Sequence, residues 1–521
     1  MLLSSVPLSP FPRTRHLLVA LPLAALLPGC STTGPRPSTT PGIDTPPAWA
    51  RSELAPDGAL DTAALASWWK RFDDPVLDRL VAEALANNPD VRIAVSRIAQ
   101  ARANRTVERS ALLPSLGAGV SGRGTRTRDH RTDTVTEGDT YSASLDASWE
   151  IDLFGKNRLG LAAADADFSR TEENLRAAQV SLAAEVALTY VELRSAEVQL
   201  DVVRRSLASR EETTRLTRWR EQAGVGDVLD TRQAENSLEQ ARASLPALEQ
   251  SLSETRNALA VLCGRTPGSL DELLSATGRV PAPPAALAVG IPAETLRQRP
   301  DVRAAALAVE AAAKRSDAAR RDRLPTLKLT GSLGVDAAEF GKLANPASTV
   351  ASLAGGLTAP IFNAGRIGAN IRIQDENTLQ ALVSYESAVL DALAEVENAL
   401  EAVRRQAERH EALERAAAAA READALARQQ YEAGSVDFLR VLDAERSLLS
   451  AEQSLATTAA ALSSAHIRLY KALGGVYVHV KRSLAVPILA THDAADTDAS
   501  SDAGLANADA PASDTIDTSS L

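Results

Sequence analysis

A few residue groups in this chain have a spacing that could support chemistry. Gly117-x-Gly-x-x-Gly122 has the glycine interval of a loop that wraps a dinucleotide pyrophosphate. That use needs a strand before it and a helix after it; here a helical pattern precedes it and Arg123-Gly124-Thr125-Arg126 follows. The glycines then read as sites of close strand packing. There is no Walker sequence to drive work from a nucleotide and no Gly-x-Ser-x-Gly to present a nucleophile. Two cysteines and six scattered histidines give no zinc-ligand spacing. Leu439 and Asp443 stand at i and i+4 on one helix face, just past a Gly-Ser-Val-Asp turn. The ordinary reading puts Leu439 in a packing seam and Asp443 on a solvated face. The chain therefore reads as a non-enzyme with no cofactor and no metal. Its net charge of −11 argues against nucleic acid as a partner, because phosphate contacts need clustered Lys and Arg.

The position most plainly marked for covalent chemistry is near the start. Arg13, Arg15 and His16 precede an apolar run from Leu17 to Leu27, of signal-peptide length and too short to span a bilayer as a helix. It ends Leu27-Pro28-Gly29-Cys30, similar to a bacterial lipobox, with Pro28 departing from the usual small residue. Residues 1–29 are then a lipoprotein signal peptide, and Cys30 becomes the acylated first residue of the mature chain. Ser31 follows instead of the Asp that retains lipoproteins at the inner membrane, so the expected address is the outer membrane. Residues 30–60, rich in Thr, Pro and Ser, read as a flexible tether. Residues 481–521, rich in Asp, read as a disordered acidic tail.

The body between them is one unit written twice. Asn88-Pro89-Asp90-Val91-Arg92 recurs as Arg299-Pro300-Asp301-Val302-Arg303, Leu113-Pro114-Ser115-Leu116 as Leu324-Pro325-Thr326-Leu327, Ala223-Gly224 with Asp227 as Ala433-Gly434 with Asp437, and Gly264 as Gly474, all at an offset of about 210 residues. The copies are 61–265 and 291–480, joined by a proline-rich linker at 266–290. In each, the periodicity passes from helix to strand and back. Pro75 to Ser110 reads as a helix. Residues 141–151 alternate, with Tyr141, Ala143, Leu145, Ala147, Trp149 and Ile151 facing one way and Ser142, Ser144, Asp146, Ser148 and Glu150 the other. The stretch from Thr326 to Asp336 repeats this pattern, and 115–125 and 349–361 do so more weakly. Each copy thus carries a hairpin of strands about 11 residues long with one apolar and one polar face, the length of a transmembrane β-strand.

The rest is long helix. Residues 157–223 and 366–433 lack proline, and about 65 residues of helix make a rod of roughly 100 Å. The return segments carry a 3–4 seam. In the first it is Leu238, Ala241, Leu245, Leu248, Leu252, Thr255, Leu259 and Leu262, with Pro246 expected to kink it; in the second it runs from Leu448 to Ala472. Between rod and return lie Gly224-Val225-Gly226-Asp227 and Gly434-Ser435-Val436-Asp437, glycine to end one helix and aspartate to start the next. Four strands cannot close a barrel with a lumen, and a sheet in a membrane cannot leave its edges open. Chains must therefore associate; two would give a filled barrel, whereas three leave room for a pore.

Several longer motifs carry a family resemblance: Trp68-Trp69-Lys70-Arg71-Phe72-Asp73-Asp74-Pro75, Asn88-Pro89-Asp90, Asp152-Leu153-Phe154-Gly155, Tyr431-Glu432-Ala433-Gly434, Val441-Leu442-Asp443-Ala444-Glu445-Arg446 and Leu469-Tyr470-Lys471-Ala472-Leu473-Gly474-Gly475. With them the chain resembles the TolC/OprM/NodT-type outer membrane efflux lipoproteins over nearly all of residues 60–480. The resemblance implies an α+β membrane protein, a trimeric TolC-like α/β-barrel with four transmembrane strands per chain and long coiled-coil helices forming a periplasmic tube. It implies a homotrimer that serves as the passive outer membrane duct of a tripartite efflux system, with a periplasmic adaptor, an inner-membrane RND-type transporter and outer membrane lipid as partners. It places Leu439 and Asp443 at a periplasmic gate, and Gly224, Gly226, Asp227, Gly434 and Asp437 at tips that dock the adaptor. A duct for type I protein secretion and a lipid-anchored coiled-coil scaffold without a pore stay open as alternatives.

Overall fold

Two acidic or amide side chains, each standing before a proline, start the first two α-helices. Asp74 Oδ1 accepts from the amides of Val76 and Leu77, and Asn88 Oδ1 from those of Asp90 and Val91. Proline at the first helical position needs no amide partner, so each pair is a strong start signal. The continuous helix expected over 75–110 is accordingly two, α1 (Pro75–Asn87) and α2 (Pro89–Ser110). The computed structural model describes residues 46–50, 65–276, 278–283, 292–344 and 349–475. The remaining elements are β1 (Ser115–Asp129), β2 (Thr134–Ile151), α3 (Lys156–Gln222), α4 (Val228–Leu262), α5 (Pro292–Gln298), α6 (Pro300–Arg321), β3 (Thr326–Ala337), β4 (Thr349–Thr358), α7 (Arg366–Glu432) and α8 (Phe438–Ala472). The duplication is visible in their lengths. α3 and α7 each have 67 residues, and α4 and α8 each have 35, with α4 running on through Pro246.

The repeated Asn/Arg-Pro-Asp and Gly anchors meet in space. Gly264 and Gly474 end the return helices at φ of 70° and 80°. Asn88 donates to the Leu262 carbonyl and Arg299 to the Ala472 carbonyl, satisfying the C-terminal ends of α4 and α8. A Cβ on Gly264 would lie 2.5 Å from the Asn87 carbonyl oxygen, so the approach admits only glycine.

The four strands form one antiparallel sheet in the order β1-β2-β3-β4. The register sets Leu116 opposite Ala147, Ala118 opposite Leu145, Leu145 opposite Leu333, and Leu327 opposite Leu357, so the large apolar side chains share one face. That face is uncovered: Leu116 is 73% and Leu353 78% exposed. The other face is polar, with Ser121–Ser142 and Ser332–Ser352 hydroxyl pairs at 2.7 Å and Glu150 opposite Lys328. Trp149 bounds the apolar band below, and Tyr141, edge-on to Phe340, bounds it above. The interval is about 26 Å along the strand and roughly 20 Å in height at a barrel tilt, somewhat less than the apolar band of a membrane barrel, about 25 Å tall. The strands are not uniformly of the expected length. β1 and β2 have 15 and 18 residues and rise past the end of β3 at Tyr141↔Ala337, whereas β4 stops at Thr358, before Pro360. Proline lacks the ladder amide.

Next to the sheet the helices stand side by side in the order α2-α3-α6-α7; farther away the order is α4-α3-α8-α7. One margin of the wall is therefore β1 with α2 and α4, the other β4 with α7. Where the two helical tiers meet lies the main core, with Trp68 stacked on Tyr470 at 5.3 Å and fully buried Leu77, Leu193, Leu259 and Ile467. Parts of the tether, expected to be flexible, and of the inter-repeat linker join it. Trp49, in the tether, is buried, and the Ala50 amide donates to Glu397. In the linker, Leu270 and Leu274 are buried, Arg194 donates to the Ala276 carbonyl, and Ser463 to that of Pro281. Apolar anchors and borrowed side-chain donors override the Pro- and Ser-rich composition.

Candidate functional site at the helical tips

Both helical hairpins turn by the same chemistry. α3 ends at Ala223; Gly224, at φ 71°, takes the left-handed conformation, and the Gly224 and Val225 amides donate back to Glu221 and Arg220. Asp227 then accepts from the Leu229 amide to start α4. In the second hairpin Gly434 has φ 72°, the Gly434 and Ser435 amides donate to Tyr431 and Gln430, and Asp437 accepts from the Arg440 amide. Gly226 is required for a different reason: a Cβ there would sit 2.9 Å from Arg220 Cβ.

The tips are also stitched together. Arg220 Nη1 donates to the Tyr431 carbonyl at 3.0 Å, and its guanidinium lies 4.7 Å from the centre of the Tyr431 ring. Below them Ala234, Tyr431, Phe438, Val441 and Leu442 form a small core. Burial pushes the Asp230 carboxyl up, reinforced by the nearby charges of Asp227 and Asp437 and opposed by Arg220. The end of the molecule thus gathers three carboxylates around one arginine.

Leu439 and Asp443 lie on the opposite side of α8 from that core. Phe438, Val441 and Leu442 are buried, whereas Leu439 is 49% exposed and Asp443 is exposed. Leu439 is therefore not a seam residue of its own chain; the pair forms an apolar and an acidic patch one turn apart on an open face. Cys30 lies outside the described residues. Cys263 is buried, its thiol pushed up to about 11 chiefly by burial, which leaves it a packing residue. The Gly117–Gly122 run lies wholly within β1 with no helix after it, so it makes no phosphate cradle.

One feature of the site was not foreseen. Two residues beyond Asp443, Glu445 points inward and is buried, accepting from Thr213 Oγ1 of α3 at 2.8 Å and from Arg428 of α7 at 3.0 Å. Arg428 also pairs with Asp424, and Arg210 of α3 is buried nearby, donating to the Ser237 carbonyl and hydroxyl on α4. Burial pushes the Glu445 carboxyl up, against the Thr213 hydrogen bond and the charges of Arg428 and Arg210. The signal was present in the sequence. Continuing the 3–4 seam back from Leu448 gives Glu445, Val441 and Phe438, a charge at a core position of the seam.

The sequence model of a family described as Outer membrane efflux protein matches residues 80–265 and 291–475, the two repeats. The toluene efflux pump outer membrane protein TtgF of Pseudomonas putida is 32% identical over 479 residues, which is 89% of this chain and 97% of that protein. The cation efflux system protein CusC of Escherichia coli is 30% identical over 441 residues, 84% of this chain and 94% of the other. Among solved structures, the outer-membrane channel OprN superposes with a TM-score of 0.79 at 33% identity, covering 85% of this chain and 99% of that one.

Proposed function

Because the chain belongs to the outer membrane efflux protein family, we propose that it works as a homotrimeric, passive exit duct that carries small molecules from the periplasm to the exterior. The observation that carries this reading is the pair of open margins. A four-stranded sheet with an apolar outer face and a polar inner face ends in unpaired β1 and β4, and the helical wall below ends at the same two margins. Unpaired strand edges in lipid cost several kcal/mol for each unsatisfied group, so copies must join edge to edge. Three copies supply a lumen lined by the serine and charged face. Apolar side chains left open on the marginal helices, Ile373, Val383 and Leu390 on α7 and Ile93 and Val107 on α2, supply packing for the same joint.

In this reading the helices stand in the periplasm and the β-turns face outward. Leu439 and Asp443, brought threefold around the axis, make a dry ring and an acidic ring that narrow the entrance. The tips at Gly224, Gly226, Asp227, Gly434 and Asp437 meet a periplasmic adaptor, which links the duct to an inner-membrane transporter. Cys30 is the acylated N-terminus of the mature chain. The names of the relatives, toluene and cation efflux, point to small cargo. Native mass spectrometry of the detergent-purified protein, followed by planar-bilayer recording, tests the reading. A trimer with defined conductance and an N-terminal mass of acylated Cys30 is the expected result; a stable monomer that inserts without conducting overturns the duct.

A further inference from the structure

The outer strands β1 and β4 leave one open joint per copy, and the three ladders inside the chain constrain how that joint can close. Leu116 of β1 stands opposite Ala147 of β2, Ala147 opposite Gly331 of β3, and Gly331 opposite Leu353 of β4. In the duplication Leu116 corresponds to Leu327, yet its row of the sheet meets β3 at Gly331, four residues farther along. The row has climbed in crossing from one repeat to the next. Such a climb is the stagger that a closed, tilted barrel requires.

From the geometry we infer that β4 pairs antiparallel with β1 of a second copy in one register, with Leu353 opposite Gly122 of the partner subunit. The inference rests on the trimeric duct reading. Outward side chains must stay outward across the joint, so the row from Leu353 can land on Val120, Gly122 or Gly124, four, six or eight residues beyond Leu116. Val120 is the duplicate of Gly331; landing there gives no climb between β3 and the partner's β1, although β1 to β3 climbs four residues. Landing on Gly124 sets a stagger of about 24 residues around three copies and a strand tilt of about 55°, beyond the roughly 35–45° of barrels. It also sets Pro360, which lacks the ladder amide, opposite Gly117 inside β1. Landing on Gly122 gives a stagger of about 18 residues, a tilt of about 47° and a backbone radius of about 13–14 Å. Pro360 then falls opposite Ser115, the first residue of β1, where the ladder ends. Side-chain sizes agree with this register. Leu357 comes opposite Ala118, Gly355 opposite Val120 and Leu353 opposite Gly122, so a bulky residue meets a small one at each step. Leu353 and Leu357 are both exposed in the single copy.

The test uses the full-length protein, with trimer state and bilayer conductance of the wild type recorded first. A wild type that forms no trimer overturns the duct reading, and this joint with it; every later outcome bears on the joint alone. Cysteines are then placed on both strands. On the lipid side Leu357→Cys is combined in turn with Leu116→Cys, Ala118→Cys and Val120→Cys. On the lumen side Ala354→Cys is combined with Gly119→Cys, Ser121→Cys and Arg123→Cys. Residues directly opposite lie about 4.5–5.5 Å apart, within reach of a disulfide, whereas a shift of two residues sets them about 7–8 Å apart, beyond it. The two faces alternate between the ladder's pair types, so one of them has the closer spacing. Mild oxidation of assembled trimers, followed by non-reducing denaturing electrophoresis, reads covalent dimers and trimers. Leu357→Cys with Ala118→Cys and Ala354→Cys with Ser121→Cys are expected to link at least about tenfold faster than their neighbours on the same face. Because the two faces are tested separately, loss of assembly in one variant leaves the other to decide. Fastest linkage to any of the four shifted positions overturns the register. Absence of linkage in every pair of a conducting trimer overturns the β4–β1 joint itself.

Discussion

Replacing Glu445 by alanine removes the acceptor that ties three long helices together inside the periplasmic half. Two charge-assisted bonds disappear, one from Thr213 at 2.8 Å and one from Arg428 at 3.0 Å, and buried Arg210 loses a nearby counter-charge. Such bonds contribute about 1.5–3 kcal/mol each, and breaking a buried ion pair costs about 3–5 kcal/mol. Arg428 is 26% exposed and keeps Asp424, which moves the sum toward the lower end. A net loss of about 3 kcal/mol corresponds to roughly 150-fold faster amide exchange where exchange follows the opening equilibrium. Hydrogen–deuterium exchange should show this in α3, α7 and α8 around residues 213, 428 and 445, with the sheet unchanged. Acceleration below about fivefold, or equal acceleration in β3, would refute the reasoning. The pH dependence carries a sign of its own. Because the folded carboxyl is pushed above its ordinary 4.5, the stability linked to its proton is complete below that value and is lost as pH rises through the folded pKa. Acidifying from neutrality should therefore protect wild type relative to Glu445→Gln.

Further expectations follow from other residues. Leu439→Ala with Asp443→Ala should raise single-channel conductance and antibiotic leakage into cells at normal trimer yield; unchanged conductance would return both to a solvated surface. Gly264→Ala should cost more than about 3 kcal/mol, because it combines strain at φ 70° with a clash on the Asn87 carbonyl, whereas Gly434→Ala, at φ 72° in open space, should cost only about 1 kcal/mol in thermal or denaturant unfolding. Burial alone would push the Asp301 carboxyl up, but the Arg299 hydrogen bond and charge outweigh it and hold the carboxyl below its usual range. Its contribution is present above 3.8 and lost as pH falls through the lower folded value, so the stability gap between wild type and Asp301→Asn should close in acid and persist at neutral pH.

Much of this architecture is written locally. The rods, the 3–4 seams and the Gly-Asp turns depend on neighbours in the chain, and they read correctly to within a residue or two. The duplicated anchors also read correctly, although why Gly264 and Asn88 recur together becomes clear only when the helix end and the cap touch. What was misread depends on distant partners or on solvent. Asn88-Pro89 breaks a helix that periodicity alone continues. Trp49, Leu270 and Leu274 are held by a core formed elsewhere. The upper ribbon of β1 and β2 carries no apolar alternation, so a hydrophobic pattern cannot trace it. Leu439 was the hardest case. Leucine reads as a packing residue by type, but the seam continued back from Leu448 runs through Glu445, Val441 and Phe438, and the burial of Phe438, Val441 and Leu442 leaves Leu439 uncovered by its own chain.

The pairing of β2 with β3 joins strands from opposite repeats, with the whole first coiled coil synthesised between them. Contacts so remote in sequence form late, after a large loop-closure cost. Until a neighbour arrives, the outer strands β1 and β4 each expose a ladder of free amides and carbonyls, a template for wrong partners. If the chain works as the proposed trimer, its folding is inseparable from its assembly. The slow step should be bimolecular and should slow on dilution. Until the last seam closes, the outer strands of each subunit stay open to wrong pairing.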